Sequence, residues 1–135
     1  MAITYMNRVA AAFILSTEND RSYDSVLLKQ ATTEYDSGEV VVAEYVQAVP
    51  GTGAYVNATG KYVKASAVAA ALVDYPKLKV GFVVRPTDAR EGDIHELVVN
   101  VDAEIRVIDT NLSALPTTAR EAITEAVEAA GNKLR

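Results

Sequence analysis

The chain of 135 residues contains no cysteine and a single histidine. Without cysteine there is no disulfide framework, no thiolate metal site and no cysteine nucleophile. One histidine excludes a histidine-rich metal site and a relay of two histidines. Half of the residues are hydrophobic and 23% are charged, which is typical of one globular domain. The composition therefore supports few classes of enzyme.

Basic residues are in the minority, with 13 Lys and Arg against 18 Asp and Glu, and the formal net charge is −5. Nucleic-acid binding depends on clustered Lys and Arg, so we expect no nucleic-acid partner. Long hydrophobic runs are also missing, because the longest one near the start is Val9–Leu15. A membrane span needs about 20 apolar residues, and a secretory signal needs a longer apolar stretch than this one. We therefore expect no membrane partner, and a leader that is followed by a strand.

Alternation of apolar and polar residues is clearest from Leu97 to Val107. Every odd position in that segment is apolar, and the even positions include Asn, Asp, Glu and Arg. Successive side chains of a strand point to opposite faces. The segment therefore predicts one strand with a buried face and a solvent face, as in an antiparallel sheet.

Shorter strands are predicted elsewhere, with turn-type residues between them. Ala58-Thr59-Gly60 is interpreted as a hairpin tip that joins two of them. About seven short strands favour a mainly β (α+β) fold, a small antiparallel barrel or sandwich-like domain. The other predicted strands are Val9–Ser16, Ser25–Lys29, Val40–Val46, Ala54–Asn57, Lys61–Lys64 and Lys79–Arg85.

Two segments carry helical signals. Thr118 followed by Glu121 fits a capping box, and Gly131 stands where a left-handed residue would end a helix. Between them, apolar residues recur at helical spacing, so we predict a short C-terminal helix. Ala65–Val73 is rich in alanine and fits either a short helix or a buried strand. The apolar stripe of the C-terminal helix comprises Ile123, Ala126, Val127 and Ala130.

One cluster in the sequence contains residue types that are common in catalytic sites, namely Asp88, Glu91, Asp93, His95 and Glu96. A carboxylate can orient an imidazole for base chemistry, so Asp93 and His95 define the enzyme alternative, a small hydrolase. No serine lies in a nucleophile motif such as Gly-x-Ser-x-Gly, and the calcium-loop and His-Glu-x-x-His zinc patterns are missing. We therefore expect a turn that leads into an exposed strand start, and no catalytic, cofactor-binding or metal-binding residues.

Pro50-Gly51-Thr52-Gly53 contains a Gly-x-Gly pattern. A phosphate loop needs a helix to start after the glycines, so that backbone donors and the helix dipole converge on the anion. Strand-like residues follow here instead, from Ala54 to Asn57. We therefore predict a hairpin tip at this position.

Charge is distributed unevenly along the chain. Residues 61–85 hold five bases and one acid, whereas residues 88–109 hold seven acids and two bases. Segments of opposite sign favour head-to-tail contacts between copies or docking on a charged partner. Two merely solvated faces are the alternative, and the sequence leaves both open.

Several short motifs follow one another in an order that is more specific than any single motif. The most extensive are Val80–Val84 and Val99–Ile105, and the others are Ile14–Ser16, Arg21–Tyr23, Val26–Leu28, Ser37–Val40, Gly60–Val63, Gly92-Asp93, Ala129–Gly131 and Leu134-Arg135. In this order, over roughly residues 14–135, the chain resembles the lambda-type head decoration (capsid cement) proteins of tailed bacteriophages.

This resemblance implies a small, mostly β protein that forms a homotrimer on the outer surface of the phage head. Such a protein sits at three-fold and quasi-three-fold positions and clamps neighbouring subunits after the shell expands. The resemblance also implies the major capsid protein as partner, no catalytic residues, and a place in the virion after synthesis in the host cytoplasm. It further implies an N-terminal arm that adds a strand to the capsid protein.

The leader fits that expectation. Residues 1–12 would form the extended arm, and residues 13–135 would form a single β-rich domain. An apolar, β-prone segment can add a strand to a partner through its backbone, although a frayed terminus is the alternative. The predicted capsid-binding residues are Ala2, Ile3, Thr4, Tyr5 and Met6.

Two stretches depart from the family's pattern. Ala65–Leu78 is richer in alanine and apolar residues than the family's polar, glycine-containing connection. Asn132 and Lys133 stand where an apolar strand end is usual. A different virion module, a tail-tube or head–tail joining protein that forms rings usually of six copies, is the main alternative function.

Overall fold

The computed structural model describes residues 12–17 and 22–135. This part of the chain is mainly β and has one α-helix near its C-terminus, as the sequence predicts. The strands are β1 (Ile14–Ser16), β2 (Tyr23–Leu28), β3 (Val40–Val49), β4 (Thr52–Lys64), β5 (Val80–Val83), β6 (Ile94–Val99), β7 (Glu104–Ile105) and β8 (Lys133–Leu134), and the helix is α1 (Thr117–Ala129).

Five strands form a closed barrel in the order β2, β4, β3, β5, β6. Strand β6 returns to β2 in a continuous antiparallel ladder, from Tyr23 opposite Val99 to Leu28 opposite Ile94. The contact between β2 and β4, at Leu28 and Tyr62, is parallel. The other neighbouring pairs in the barrel are antiparallel, which agrees with the predicted antiparallel barrel.

Two hydrophobic clusters lie on the two sides of the barrel wall. Because successive side chains in a strand point to opposite faces, the consecutive valines Val40, Val41 and Val42 serve both clusters. The inner cluster draws on every barrel strand and contains Val26, Leu28, Tyr35, Val41, Val83, Ala89 and Val98, with Tyr62 packed against it. The outer cluster includes Phe13, Val40, Val42, Phe82, Val99, Ile105, Ile123 and Val127.

A small second sheet lies beside the barrel in the order β1, β7, β8. Strand β1 is antiparallel to β7, and β8 is parallel to it. Phe13 is 1% exposed, and its carbonyl accepts a hydrogen bond from the Arg106 amide at 2.7 Å. The two ends of the described chain are therefore held together on the outer core. The predicted strand Val9–Ser16 is seen here as β1, and its first three residues lie outside the described part.

The prediction of one strand from Leu97 to Val107 is wrong. Strand β6 ends at Val99, and β7, which belongs to the other sheet, begins at Glu104. Between them the chain turns through Asp102, which has a φ of 50°. Val98 and Val99 are both buried, since the barrel wall has a core on each side. The alternation thus spans two strands, and its predicted solvent face is buried at the end of β6.

The prediction of a hairpin tip at Ala58-Thr59-Gly60 is also wrong. Strand β4 runs through these residues without a turn to another strand. The pairing skips from Tyr45 opposite Ala58 to Ala43 opposite Tyr62, so the extra residues of β4 form a bulge. Gly60 lies in that bulge with a φ of 78°, a conformation that glycine adopts without strain. The turn signal was therefore a bulge signal.

Ala65–Val73 is neither an α-helix nor a strand. It contains two 3-10 helices, Ala65–Ala67 and Leu72–Asp74, the second of which extends one residue past the segment. The Val68 amide donates to the Ala65 carbonyl at 3.2 Å, a three-residue spacing that suits short connections. Ala65 and Leu72, the first residues of these two 3-10 helices, are buried in the outer cluster. Each short helix is therefore held in place by packing of its first residue against the core.

The C-terminal helix is confirmed, but its predicted capping box is wrong. The N-cap residue is Pro116, with no side-chain hydrogen bond to the helix, and Thr118 is already helical. The predicted C-terminal signal is correct, because Gly131 has a φ of 89°. Its amide donates to Glu128, and the Asn132 amide donates to Val127, which is a Schellman motif. The residues buried on α1 are Ala119, Ile123 and Val127.

Asn132 connects the helix end to the small sheet. Its side-chain amide donates to the carbonyls of Asn100 at 2.8 Å and Val127 at 3.0 Å. Its carbonyl oxygen accepts from the Ala103 amide at 3.0 Å. The residue is buried, and the chain then continues into β8. A polar residue at this position therefore places the last strand beside β7.

Candidate functional site

The carboxylate of Asp93 joins separate parts of the barrel. Its Oδ1 accepts a hydrogen bond from the Gln30 amide at 2.8 Å, and its Oδ2 lies 2.7 Å from Nζ of Lys61. The hydrogen bonds from Lys61 and Gln30 lower the pKa of Asp93. His95 is exposed on β6, opposite Leu27. Both oxygens of Asp93 therefore contact other segments of the chain, and the strand start at His95 is exposed as predicted.

The other acids of that sequence cluster make separate contacts. Glu96 accepts hydrogen bonds from Arg85 at 2.9 Å and Thr87 at 3.1 Å. Burial raises the pKa of Glu96, but hydrogen bonds from the Leu97 amide and these two side chains lower it below its ordinary value. No group of three or more His, Asp or Glu side chains in residues 12–17 and 22–135 is placed to hold a metal ion.

Asp88, at the start of that cluster, is paired locally. Both of its oxygens accept hydrogen bonds from the Arg90 guanidinium at 2.9 Å. These bonds lower the pKa of Asp88 to about 2. The pair is exposed to solvent, so its contribution to stability is expected to be small.

The basic and acidic segments of the chain pair with each other in the folded protein. Lys61 contacts Asp93 at 2.7 Å, and Arg85 contacts Glu96 at 2.9 Å. Both bases come from residues 61–85, and both acids come from residues 88–109. This pairing within one chain leaves less opposite charge for head-to-tail contacts between copies.

Strands β3 and β4 are joined at Pro50-Gly51, which agrees with the predicted hairpin tip. Val49 pairs with Thr52, and strand β4 follows at once rather than a helix. Gly51 and Gly53 have φ values of 82° and 87°, a region that other residues rarely adopt. The Gly-x-Gly pattern therefore serves the turn.

Beyond the barrel, these two strands continue as a two-stranded ribbon. Strand β3 pairs with β5 over Val40–Val42, and β4 pairs with β2 at Tyr62. Residues 45–60, which we call the projecting hairpin, have no strand neighbours within the described chain other than each other. Two-stranded hairpins are marginally stable in water, so this hairpin depends on further contacts.

Tyrosine contacts hold the projecting hairpin at one side. The ring centroid of Tyr75 lies 5.3 Å from that of Tyr45 and 5.4 Å from that of Tyr55. Burial raises the pKa of Tyr75. Val46 follows Tyr45 in its strand and therefore projects from the other face of the hairpin. Val56 follows Tyr55 at an irregularity in the pairing, between Gln47 opposite Tyr55 and Val46 opposite Asn57.

The hairpin exposes several apolar side chains to solvent. Val46, Val49 and Val56 are 43%, 61% and 54% exposed. The hairpin holds no charged residue and no histidine, although charged residues make up 23% of the chain. Exposed strands are usually protected by charges, and exposed apolar patches mark interaction sites. Within the described residues, the projecting hairpin is therefore the surface best suited to contact another protein.

This surface was not predicted from the sequence, because a strand end was expected at Asn57 and a hairpin tip at Ala58–Gly60. The signal that could have revealed it is the lack of charge from Tyr45 to Gly60. The predicted capsid-binding residues Ala2, Ile3, Thr4, Tyr5 and Met6 lie outside the described residues. Their role remains a prediction.

A shallow groove of about 560 Å³ lies between α1 and the C-terminal strand. Its apolar lining comes from Val107, Leu112 and Leu134, and its polar side chains include Glu121 and Glu125 of the helix. Its polar side chains are all exposed or half-buried. The groove therefore offers contact area, without a buried polar group that would orient a small ligand.

No helix among the described residues is long and apolar enough to cross a membrane. Comparison of the chain with protein-family models, with curated proteins and with solved structures finds no match.

Proposed function

We propose that this chain is a capsid decoration (cement) protein that binds the outer surface of a phage head as a homotrimer and stabilises the expanded shell. The observation that supports it most is the projecting hairpin, a charge-free apolar surface on a closed barrel. The order of motifs along residues 14–135 supports it independently. Its partners would be the major capsid protein and its own copies, and its action would need no reactive side chain.

The barrel suits the task of a clamp. Its wall has a hydrophobic cluster on each side, and such close packing resists deformation. Phe13 is buried and β1 is paired to β7, so a load applied through residues 1–12 would pass directly into the outer core. An arm that adds a strand to the capsid protein would therefore be attached to a well-packed part of the domain.

Trimer formation would strengthen attachment without stronger individual contacts. Once one arm is bound, the second and third bind at high effective concentration. Three weak sites on one trimer would then hold neighbouring shell subunits together. Binding would then be strongest on a shell whose spacing of sites matches the spacing of the three arms.

The test is binding of the full chain to expanded capsids that lack decoration protein, measured by co-sedimentation. We expect the full chain to bind at saturation in multiples of three, and a chain without residues 1–12 to stay folded but to lose at least tenfold in affinity. Circular dichroism melting is the control for folding of the shortened chain. Failure of the full chain to bind would contradict the proposal, and unchanged affinity of the shortened chain would contradict the role of the arm.

Two further measurements separate the alternatives. Native mass spectrometry that shows six copies in a ring would favour a tail-tube or head–tail joining protein. Hydrolase activity that His95→Gln abolishes would favour the enzyme alternative, whereas a decoration protein would tolerate this exposed substitution.

A further inference from the structure

We infer that the projecting hairpin is the surface through which copies of this chain bind one another, with Val46 and Val56 at the contact. The inference deepens the proposed function, since it assigns a contact surface to the proposed trimer. It depends on three features of the described residues, namely exposure, charge and the incomplete pairing of the ribbon.

The lack of charge on the projecting hairpin makes it the part of the surface where a second copy can approach with the least repulsion. Each chain carries a formal net charge of −5, so association of copies brings like charges together, which is unfavourable. A contact formed by residues 45–60 adds no charged side chain to the interface. Lys61 and Arg85 already pair with acids of their own chain, so these two bases are not free to pair with another copy.

The shape of the ribbon favours the same occupant. Near a symmetry axis, the same segment of each copy meets its equivalents. An uncharged apolar face is compatible with itself, whereas a charged face would need a complementary one. The ribbon lacks further strand neighbours among the described residues, so contact with other copies would supply the packing that a lone hairpin lacks.

The tyrosine contacts fix the position of the projecting hairpin relative to the rest of the protein. Tyr75 packs against Tyr45 and Tyr55, and Val46 and Val56 stay exposed. A surface held in place loses little conformational freedom on binding. The hairpin is thus prepared for contact before a second copy arrives.

The test uses Val46→Asp and Val56→Asp in the full chain, with Ile108→Asp as the matched control. Ile108 is 80% exposed and lies in the 3-10 helix Val107–Asp109, outside the hairpin. Sedimentation equilibrium over a range of concentrations measures association, and circular dichroism melting confirms folding. We expect each hairpin variant to associate at least tenfold more weakly than the wild type, and the control to match the wild type.

Three outcomes would overturn the inference. The hairpin variants could associate as the wild type does, the Ile108 control could be the one that loses association, or the wild type could be monomeric at every concentration. If the wild type is monomeric and the hairpin variants lose capsid binding, the occupant is the shell protein. That result would leave the proposed decoration function intact, because capsid binding of the full chain is measured separately.

Cross-linking gives an independent readout, because the natural chain has no cysteine. Val49→Cys places a single thiol beside the hairpin tip, at a position 61% exposed, and Ile108→Cys places one elsewhere. With a short bismaleimide, we expect covalent dimers from Val49→Cys and at least tenfold fewer from Ile108→Cys. The reverse pattern would contradict the inference.

Discussion

The barrel and the projecting hairpin share two strands, yet they use valine in opposite ways. Val40, Val41 and Val42 of β3 are fully buried, because the closed wall has a core on both sides. Val46 and Val49 of the same strand are largely exposed, because the ribbon has passed the end of the barrel. The comparison shows that neighbouring strands, more than residue type, decide whether a side chain serves the core or an interface.

Charge divides the two regions in the same way. The barrel buries the carboxylate of Glu39, which accepts hydrogen bonds from the Asn111 side chain at 2.8 Å and the Asp36 amide at 3.2 Å. Every buried side-chain nitrogen and oxygen in the described residues has a hydrogen-bond partner. The hairpin has no charged side chain. The barrel can therefore hold charge within its fold, whereas the hairpin offers an apolar surface.

Leu28→Ala and Val56→Ala provide the largest expected contrast in stability. Leu28 is fully buried in the inner cluster, and its truncation should lower the free energy of unfolding by about 2–5 kcal/mol. Truncation of the exposed Val56 should change it by about 0.5 kcal/mol or less. Urea denaturation at low protein concentration measures both. A comparable loss from Val56→Ala would show that the hairpin belongs to the cooperative core.

Two glycines with similar backbone angles sharpen the comparison. Gly38 has a φ of 80°, and an added Cβ would overlap the carbonyl oxygen of Asp109. Gly51, in the hairpin tip, has a φ of 82° with no atom within 4 Å of an added Cβ. We expect Gly38→Ala to lower the free energy of unfolding by more than about 2 kcal/mol. Gly51→Ala should lower it by about 1–2 kcal/mol, from backbone conformation alone. Thermal melting of both variants tests this, and equal losses would contradict the close approach at Gly38.

Glu39→Gln tests the buried charge of the barrel. Burial raises the pKa of Glu39 above its ordinary value of 4.5, against the opposing effects of the Asp36 amide and Lys64. The native state therefore binds this proton more tightly than the unfolded state does. The resulting stabilisation is complete below the unfolded pKa and is lost as pH rises through the folded pKa. Relative to the wild type, Glu39→Gln should therefore become more stable as pH rises from about 4 towards neutrality.

The measurement for this prediction is urea denaturation of both proteins across that pH range. Asp93 and Glu96, whose pKa values are lowered, act in the opposite direction but are common to both proteins. Their contributions cancel in the difference. A difference that stays flat with pH would show that Glu39 titrates alike in the folded and unfolded chains.

The smallest expected effect is that of salt on self-association. A contact made by the uncharged residues 45–60 has no ion pairs to screen. Raising sodium chloride from about 0.05 M to about 1 M should leave association unchanged or strengthen it by less than about tenfold, because salt screens repulsion between acidic copies. Sedimentation equilibrium measures it. Association that weakens with salt would point to a charged contact formed by the barrel.

Much of the local structure could be predicted from the sequence, whereas strand ends and partners could not. The turn at Pro50–Gly53 and the helix end at Gly131 depend on residues that are close in the chain. The supposed strand Leu97–Val107 was wrong because its alternation continues across a change of sheet at Asp102. For the candidate surface, the sequence held the lack of charge, but exposure depended on where the barrel ends.

The sequence by itself determined the mainly β class, the C-terminal helix and the left-handed helix end, because these follow from periodicity and from the backbone freedom of glycine. Tertiary structure alone decided that β6 closes against β2, that the wall is buried on both faces, and that Asp93 meets Lys61. Those contacts join residues far apart in the chain. Which of many possible distant pairs forms depends on the packing of the whole barrel, and no local pattern encodes it.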